Sequence, residues 1–582
     1  MEISTIGRPR NVGWVRAGAL LYGDWGTSKA YVIGLAVAAV GFAALPHLLA
    51  VCALTGLVGI NYVWVCKHFP NGGGVYTAAG LHSRRLATIG GLLLLADFIV
   101  TAALSCLDGF HYLGFEEPGM AKKWAIMAIF VIGAINFLGP KHTGGIAVWL
   151  AIPTVVMVMM LIAGGVPHIT QFHPQPPSGS VLGNWVAFVG MILALSGVEV
   201  AASSTGVLKL DPGATLDKPS VIVAARRAVW AVMLDVVIGT ALLAVLAMCL
   251  PDAAKEHQND MLRYMGEVFI GPHFGNLVGW VFGALLISAV NTTITGIVAL
   301  LYVMARDGEM PDTFLLLNRF GVPWVGLITA TVLPVVVLNI DDKVEGLAAL
   351  YAIGVVGAIA INLGSCAFAK SIDLRRYERI TMKVTFFVLA AVWITIALSK
   401  LYALLFVAIV LGFGLALREV TLRHRQAAPT APKLATVVPI TPALGSPPEF
   451  LGQFILVAAR GWTPALQFAL EESRVRGAQL LVLYVREVAV PIDMGSNWQD
   501  DPDAKVLFTR LEQEATGLKL NKLYSVSDSP ADTIIDIAAT FGVDSVVLGG
   551  SRRATLVNLL KGNVVARVAA NLPESMHLIV IG

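Results

Sequence analysis

Residues 22 to 31 read Tyr22-Gly23-Asp24-Trp25-Gly26-Thr27-Ser28-Lys29-Ala30-Tyr31, with apolar sequence on both sides, Val15–Leu21 before and Val32–Phe42 after. The flanks together are long enough for a membrane-spanning helix, so Asp24 falls at bilayer depth, where a carboxylate costs about 2.5–3.5 kcal/mol on insertion scales. Gly23 and Gly26 each weaken helix by about 1 kcal/mol relative to alanine. The stretch therefore reads as a broken helix offering free carbonyls, two hydroxyls and one acid near the midplane. Secondary transporters build their ion sites in this way.

Working outward, the chain of 582 residues is 56% hydrophobic and 14% charged. A soluble protein would be nearer about 25% charged. Apolar runs of spanning length number twelve, at approximately 15–40, 43–65, 86–112, 123–139, 143–165, 184–208, 228–250, 272–304, 322–340, 345–369, 381–399 and 401–418. Lysine and arginine concentrate at the N-terminal segment and the even-numbered connections (Arg8, Arg10, Arg84, Arg85, Arg226 and Arg227 among them). This bias predicts that both ends are cytoplasmic, in a bacterial inner membrane. Residues 1–14 lack the apolar core of a cleavable signal peptide. The net charge of +3 argues against a nucleic-acid partner, and the five cysteines lie in apolar segments without metal-like spacing. The chain is read as a carrier, not an enzyme, with no cofactor.

A second interruption occurs in the sixth run, Leu195-Ser196-Gly197-Val198-Glu199. Interruptions at matching places in two five-helix halves imply an inverted repeat with its site between the halves, and two helices added outside the 5+5 core. In the third run Asp97 is followed by Thr101 and Ser105 at i+4 and i+8, one helix face. Such a ladder of oxygens suits a hard cation. Tyr31 and Tyr351 are placed to close the site from either side. Hydroxyls of the eighth run (Ser288, Thr292, Thr293, Thr295) are expected mainly to bond within their helix or to its neighbours. Burial and a neighbouring acid both favour the neutral form of a carboxyl, so one clustered acid can carry a proton while another binds a cation. Glu199 is assigned the proton, with Asp24 next, and Asp24 and Asp97 the cation.

From Glu419 to Phe450 the sequence turns polar and proline-rich, which reads as a semi-extended linker between a transporter domain (1–418) and a soluble domain (451–582). Strand-like runs at 454–459, 479–485, 522–526, 544–549 and 576–581 alternate with helical patterns at 463–475, 503–516, 530–540 and 563–571. That alternation predicts a doubly wound α/β domain with a mostly parallel sheet. Its last strand leaves an apolar edge, Leu578-Ile579-Val580-Ile581, open to a second copy, so a homodimer is expected.

The motif around Asp24 resembles the KUP/HAK/KT potassium uptake family of the APC (amino acid–polyamine–organocation) superfamily. The order of features is similar to the KimA-type bacterial potassium importers, and Pro70-Asn71-Gly72-Gly73-Gly74-Val75-Tyr76 resembles their loop after the second helix. The resemblance implies a LeuT-like fold, proton-coupled potassium uptake (K+ and H+ in symport), and potassium-site candidates Asp24, Tyr31, Asp97, Thr101, Ser105, Ser196, Glu199 and Tyr351. Phe98 stands where a tyrosine is common and Ser196 where a threonine is. Lys29 replaces an apolar residue, and is expected to snorkel or to pair with an acid. The rival reading is a proton-coupled amino-acid permease of the same superfamily, whose bare amides at the first break would hold a substrate carboxylate that Asp24 repels. A sensor on a transporter scaffold is a third.

The soluble domain resembles universal stress proteins. Their nucleotide loop matches here at Gly549 and Gly562 but has Arg552 in a glycine place and Asn563 in a hydroxyl place, and Arg460 follows strand 1 without the expected aspartate. Amides opening the 563–571 helix remain for a phosphate. A structural or dimerising role is the reading taken, with an adenine nucleotide or cyclic di-AMP as the regulator that the resemblance leaves open.

Overall fold

The structure, a computed structural model, describes residues 3–6, 10, 12–72, 74–115, 117–139, 143–177, 179–195, 197–215, 218–427, 453–489, 498–515, 517–550, 562–573 and 576–582. Nine described helical runs are long and apolar enough to cross a membrane. The first, Trp14–His68, contains two of the expected spans, and two shorter apolar helices, Val181–Gly190 and Trp324–Ile340, stand at the sixth and ninth places. The twelve sequence-predicted spans are thus accounted for. The core of the bundle is the third span, Arg84–Tyr112, held against the eighth, Pro272–Arg306, and the tenth, Val344–Phe368.

Three spans are irregular. The first is two helices, Trp14–Trp25 and Ser28–Val40, joined at Gly26-Thr27. The sixth breaks into Val181–Gly190, a 3-10 turn Ile192–Leu195 and a short helix Glu199–Ser203. The seventh, Ile222–Leu234 and Thr240–Ala247, is interrupted by a π-helical turn at Asp235–Gly239. Such turns favour functional positions. On the face of the bundle opposite the α/β domain, a helix the sequence reading did not include, Met261–Phe269, packs on the start of the eighth span.

The α/β domain is a six-stranded parallel sheet in the order β1-β4-β3-β2-β5-β6. Its strands are β1 (Ile3–Ile6), β2 (Phe454–Ala458), β3 (Gln479–Glu487), β4 (Leu520–Ser527), β5 (Ser545–Gly549) and β6 (His577–Ile581). In register, Leu456 of β2 stands between Leu481 of β3 and Val546 of β5. Both faces are covered by helices, as a parallel sheet requires. Pro464, Pro502 and Pro530 open three of them, and Gly477 and Gly542 close two in the left-handed conformation.

Two boundaries depart from the sequence reading. Five strands were expected; the sixth, β1, comes from the N-terminal segment and pairs with β4 as Ile3 beside Lys522 and Ile6 beside Ser525. Residues 3–6, read as part of the transporter domain (1–418), thus pair in the sheet of the second domain. The supposed linker begins as helix, because the last span runs Leu401–Ala427. Arg423 pairs with Glu419 one turn back, and Arg418 and Arg425 tie the helix to Glu309 and Asp312. Residues 428–452 lie outside the described part. The sheet meets the bundle where the Ala489 N–H donates to the Gly321 carbonyl at 2.9 Å.

Candidate functional site

The two broken spans meet backbone to backbone. Gly197 has φ +87°, and a Cβ there would sit 2.4 Å from the Trp25 nitrogen. Only glycine permits both that conformation and that approach. Gly26 is equally constrained, since a Cβ would lie 2.6 Å from the Tyr22 carbonyl; at Gly23 the nearest neighbour is the Thr292 hydroxyl, 3.9 Å from a Cβ. Gly23, read as part of the break, lies inside the helix Trp14–Trp25; Gly26 and Gly197 are the glycines that bring Asp24 and Glu199 to one place from spans five helices apart.

Asp24, Asp97 and Glu199 are all buried, and their charges act on one another. The Gly197 N–H donates to Glu199 Oε1 at 3.2 Å, so the break holds its own acid in position. Thr101 donates to the Asp97 carbonyl at 2.8 Å and lies 3.2 Å from its carboxylate. That leaves the Thr101 lone pairs, not its proton, available to a ligand. Four buried oxygens of the site find no separate donor or acceptor, Asp97 Oδ2, Ser105 Oγ, Glu199 Oε2 and the Tyr351 hydroxyl, while Asp97 and Glu199 come within hydrogen-bonding reach of each other once one of them carries a proton. Buried polar atoms are nearly always satisfied, so four together mark a place built for something else. Tyr31 is buried beside them, within reach of the charges of Asp24 and Asp97. The tenth span comes close because Gly354 faces the Asp97 backbone, where a Cβ would be 3.0 Å from its nitrogen. Ser196 lies outside the described residues.

Several participants escaped the sequence reading. Tyr62 of the second span accepts from the Asn362 amide at 3.2 Å and is close enough to feel the Glu199 charge. The apolar spans hold two further acids, Asp108 in the third and Asp235 in the seventh. Their signal was present, since each stands inside an apolar run as Asp24 does, but neither has a break beside it in the sequence. Lys29 is fully buried and pairs with Asp235 and, at 3.2 Å, with the Tyr22 hydroxyl. Its amine is therefore engaged by the seventh span. Thr293 and Thr295 of the eighth span bond back to their own helix, and Asn291 accepts from Asn136 at 2.7 Å, the packing role expected there.

In the α/β domain, Asn563 Oδ1 accepts from the Val565 and Ala566 amides. The amides that the sequence reading offered to a phosphate are thus capped by the chain itself. Arg460, where an acid was expected, pairs with Glu487 at 3.0 Å. Gly549 ends β5 and Gly562 precedes the capped helix, while Arg552 lies outside the described residues.

The model of the amino acid permease family matches residues 12–427, and that of the universal stress protein family matches residues 458–579. The potassium transporter KimA of Bacillus subtilis is 26% identical over 341 residues, 57% of this chain and 56% of that protein. An L-asparagine permease of Escherichia coli is 25% identical over 244 residues, 39% of this chain and 46% of that one. The chain thus spans about half the length of these curated relatives. Among solved structures, a mutant of the Eremococcus coleocola manganese transporter is similar at 11% identity and a TM-score of 0.46, covering 71% of this chain and 94% of that one. With a permease model matched across the whole helical bundle and a stress-protein model across the sheet, this chain belongs to the amino acid permease family, a transporter of the APC superfamily carrying a universal stress protein domain.

Proposed function

We propose that this chain imports potassium together with protons across a bacterial cytoplasmic membrane, by alternating access about the meeting point of its two broken spans. The reading is carried by the four unpartnered oxygens of Asp97, Ser105, Glu199 and Tyr351 around three buried acids. Oxygen donors of mixed charge suit a large alkali cation. The similarity to a potassium transporter points the same way.

An amino acid is the competing cargo, because asparagine permeases match at comparable identity. Two features weigh against it. Asp24 sits where a substrate carboxylate would approach, and the Gly197 amide that could hold that carboxylate is already taken by Glu199. Coupling follows from the same cluster. Potassium entering alone gains about 2.3 kcal/mol per 100 mV of inside-negative potential, and a proton carried with it adds as much again plus the pH gradient. Glu199, beside the break, is the residue assigned to that proton.

Purified protein in liposomes tests the whole reading. External potassium should acidify the lumen and be taken up against its gradient, and the gene should rescue a potassium-uptake-deficient bacterium at low potassium. Uptake of asparagine without potassium dependence would replace this reading with the amino-acid one.

A further inference from the structure

The oxygen ladder of the third span does not stop at the three-acid site. Beyond Ser105 the same helix face continues to Asp108 and His111, each three residues further on. Asp108 is 0% exposed, and both of its carboxylate oxygens lack a hydrogen-bond partner, as do Ser105 Oγ and His111 Nδ1. A buried carboxyl with no partner at all is costly to keep, by several kcal/mol if ionised. Packing does not demand it, since leucine or asparagine would fill the same turn.

Asp108 also has a defined position on the path. On its inner side stands Tyr31, whose ring lies within reach of the charges of Asp24, Asp97 and Asp108 together. On its outer side is the cap formed by His257–Asp260 and the helix Met261–Phe269. The cap is seated closely: a Cβ on Gly34 would meet the Gln258 carbonyl, and the Tyr112 hydroxyl donates to the Ala30 carbonyl at 2.6 Å while accepting from the Leu262 N–H at 3.4 Å. Asp260 in this cap pairs with His257 at 3.0 Å, and its charge reaches both Asp108 and His111. Tyr31 is thus near the acids of both groups of unpartnered oxygens, and Ser105 stands between Asp97 and Asp108 on the helix.

We propose that Asp108 forms a second cation station outward of the three-acid site, which potassium occupies between the cap and the core, with the Ser105 hydroxyl of the core site lying on the way between them. This rests on the potassium reading and adds to it a site about three helical turns beyond Asp97. A buried carboxyl with no other partner there would release its proton in exchange for a cation that passes the cap, and Tyr31 would lie between the outer ion and the inner.

Potassium titration of the purified full-length protein, by calorimetry and by thermal shift, is the test, alongside uptake into liposomes. The wild type should show two classes of bound potassium. Asp108→Asn should remove one and raise the KM for external potassium at least fivefold with Vmax within twofold of wild type. Asp97→Asn should remove the other and abolish uptake. Asp108→Glu, which keeps the charge but not the shape, should retain both classes. A packing role reverses that order, because the isosteric asparagine would then be harmless and the longer glutamate harmful. An Asp108→Asn protein with both classes and a wild-type KM overturns the outer station while leaving the core reading intact. A wild type that binds no potassium overturns both.

Discussion

A methyl group on Gly197 would have nowhere to go: the backbone is left-handed there, and the Trp25 nitrogen occupies the space. Gly197→Ala should therefore part the two broken spans, costing about 1–3 kcal/mol in backbone strain before any clash is counted. Transport should be lost and the melting temperature in detergent should fall; a Gly197→Ala carrier with normal uptake would mean that the two breaks do not meet. The acids call for gentler substitutions. Asp97→Asn keeps shape and hydrogen bonding while removing charge, so potassium uptake should collapse in a protein that still folds. Glu199→Gln imitates a permanently protonated carboxyl. Both net uptake and potassium-driven acidification of liposomes should stop, with potassium binding less affected than in Asp97→Asn. Continued acidification by Glu199→Gln liposomes would move the proton to another group, Asp24 first.

At the level of elements, the second half of the first span, Ser28–Val40, is tied to the π-helical turn of the seventh by Lys29 and Asp235. The lysine is fully buried and the aspartate side chain 16% exposed. Removing one member of such a pair leaves the other charge stranded, at about 3–5 kcal/mol, whereas neutralising both is far milder. Lys29→Met and Asp235→Asn should each destabilise the protein in thermal unfolding, and the double variant should recover most of the loss. Additive losses would show that the two do not act as a pair. The tie matters because spans one and six must move for alternating access, and a pinned segment defines what they move against.

Across the whole molecule, the sheet has its own N-terminal strand, β1, at one edge and β6 at the other, with no further strand beside β6 among the described residues. Val580 on β6 is 45% exposed. An open apolar edge is a template for another strand, and we expect a homodimer joined at least partly through β6. Light scattering in mild detergent should give twice the chain mass, and Val580→Lys should shift it toward the monomer; a monomeric wild type would end the idea. Because β1 precedes the first span by only a few residues, the sheet of the α/β domain holds the start of the membrane bundle.

Hydropathy and helix breaking are properties of neighbouring residues, so the amino-acid sequence by itself determined the membrane class, the twelve spans, the two breaks at Gly23–Gly26 and Gly197, and the alternating strands and helices of the second domain. The same locality made Asp97, Thr101 and Ser105 legible as one face of a helix. Contacts between distant segments left no such trace. The run Ile3–Ile6 has β-branched residues but is too short to stand as a strand alone, and becomes one because β4, more than five hundred residues later, offers it an edge. Asn563 reads as a free helix start until its side chain is seen capping the amides behind it. Lys29 has its partner 206 residues away, and Asp108 gains its meaning from the absence of any partner at all. Only the tertiary structure decided these, because burial and pairing depend on what the rest of the chain brings alongside.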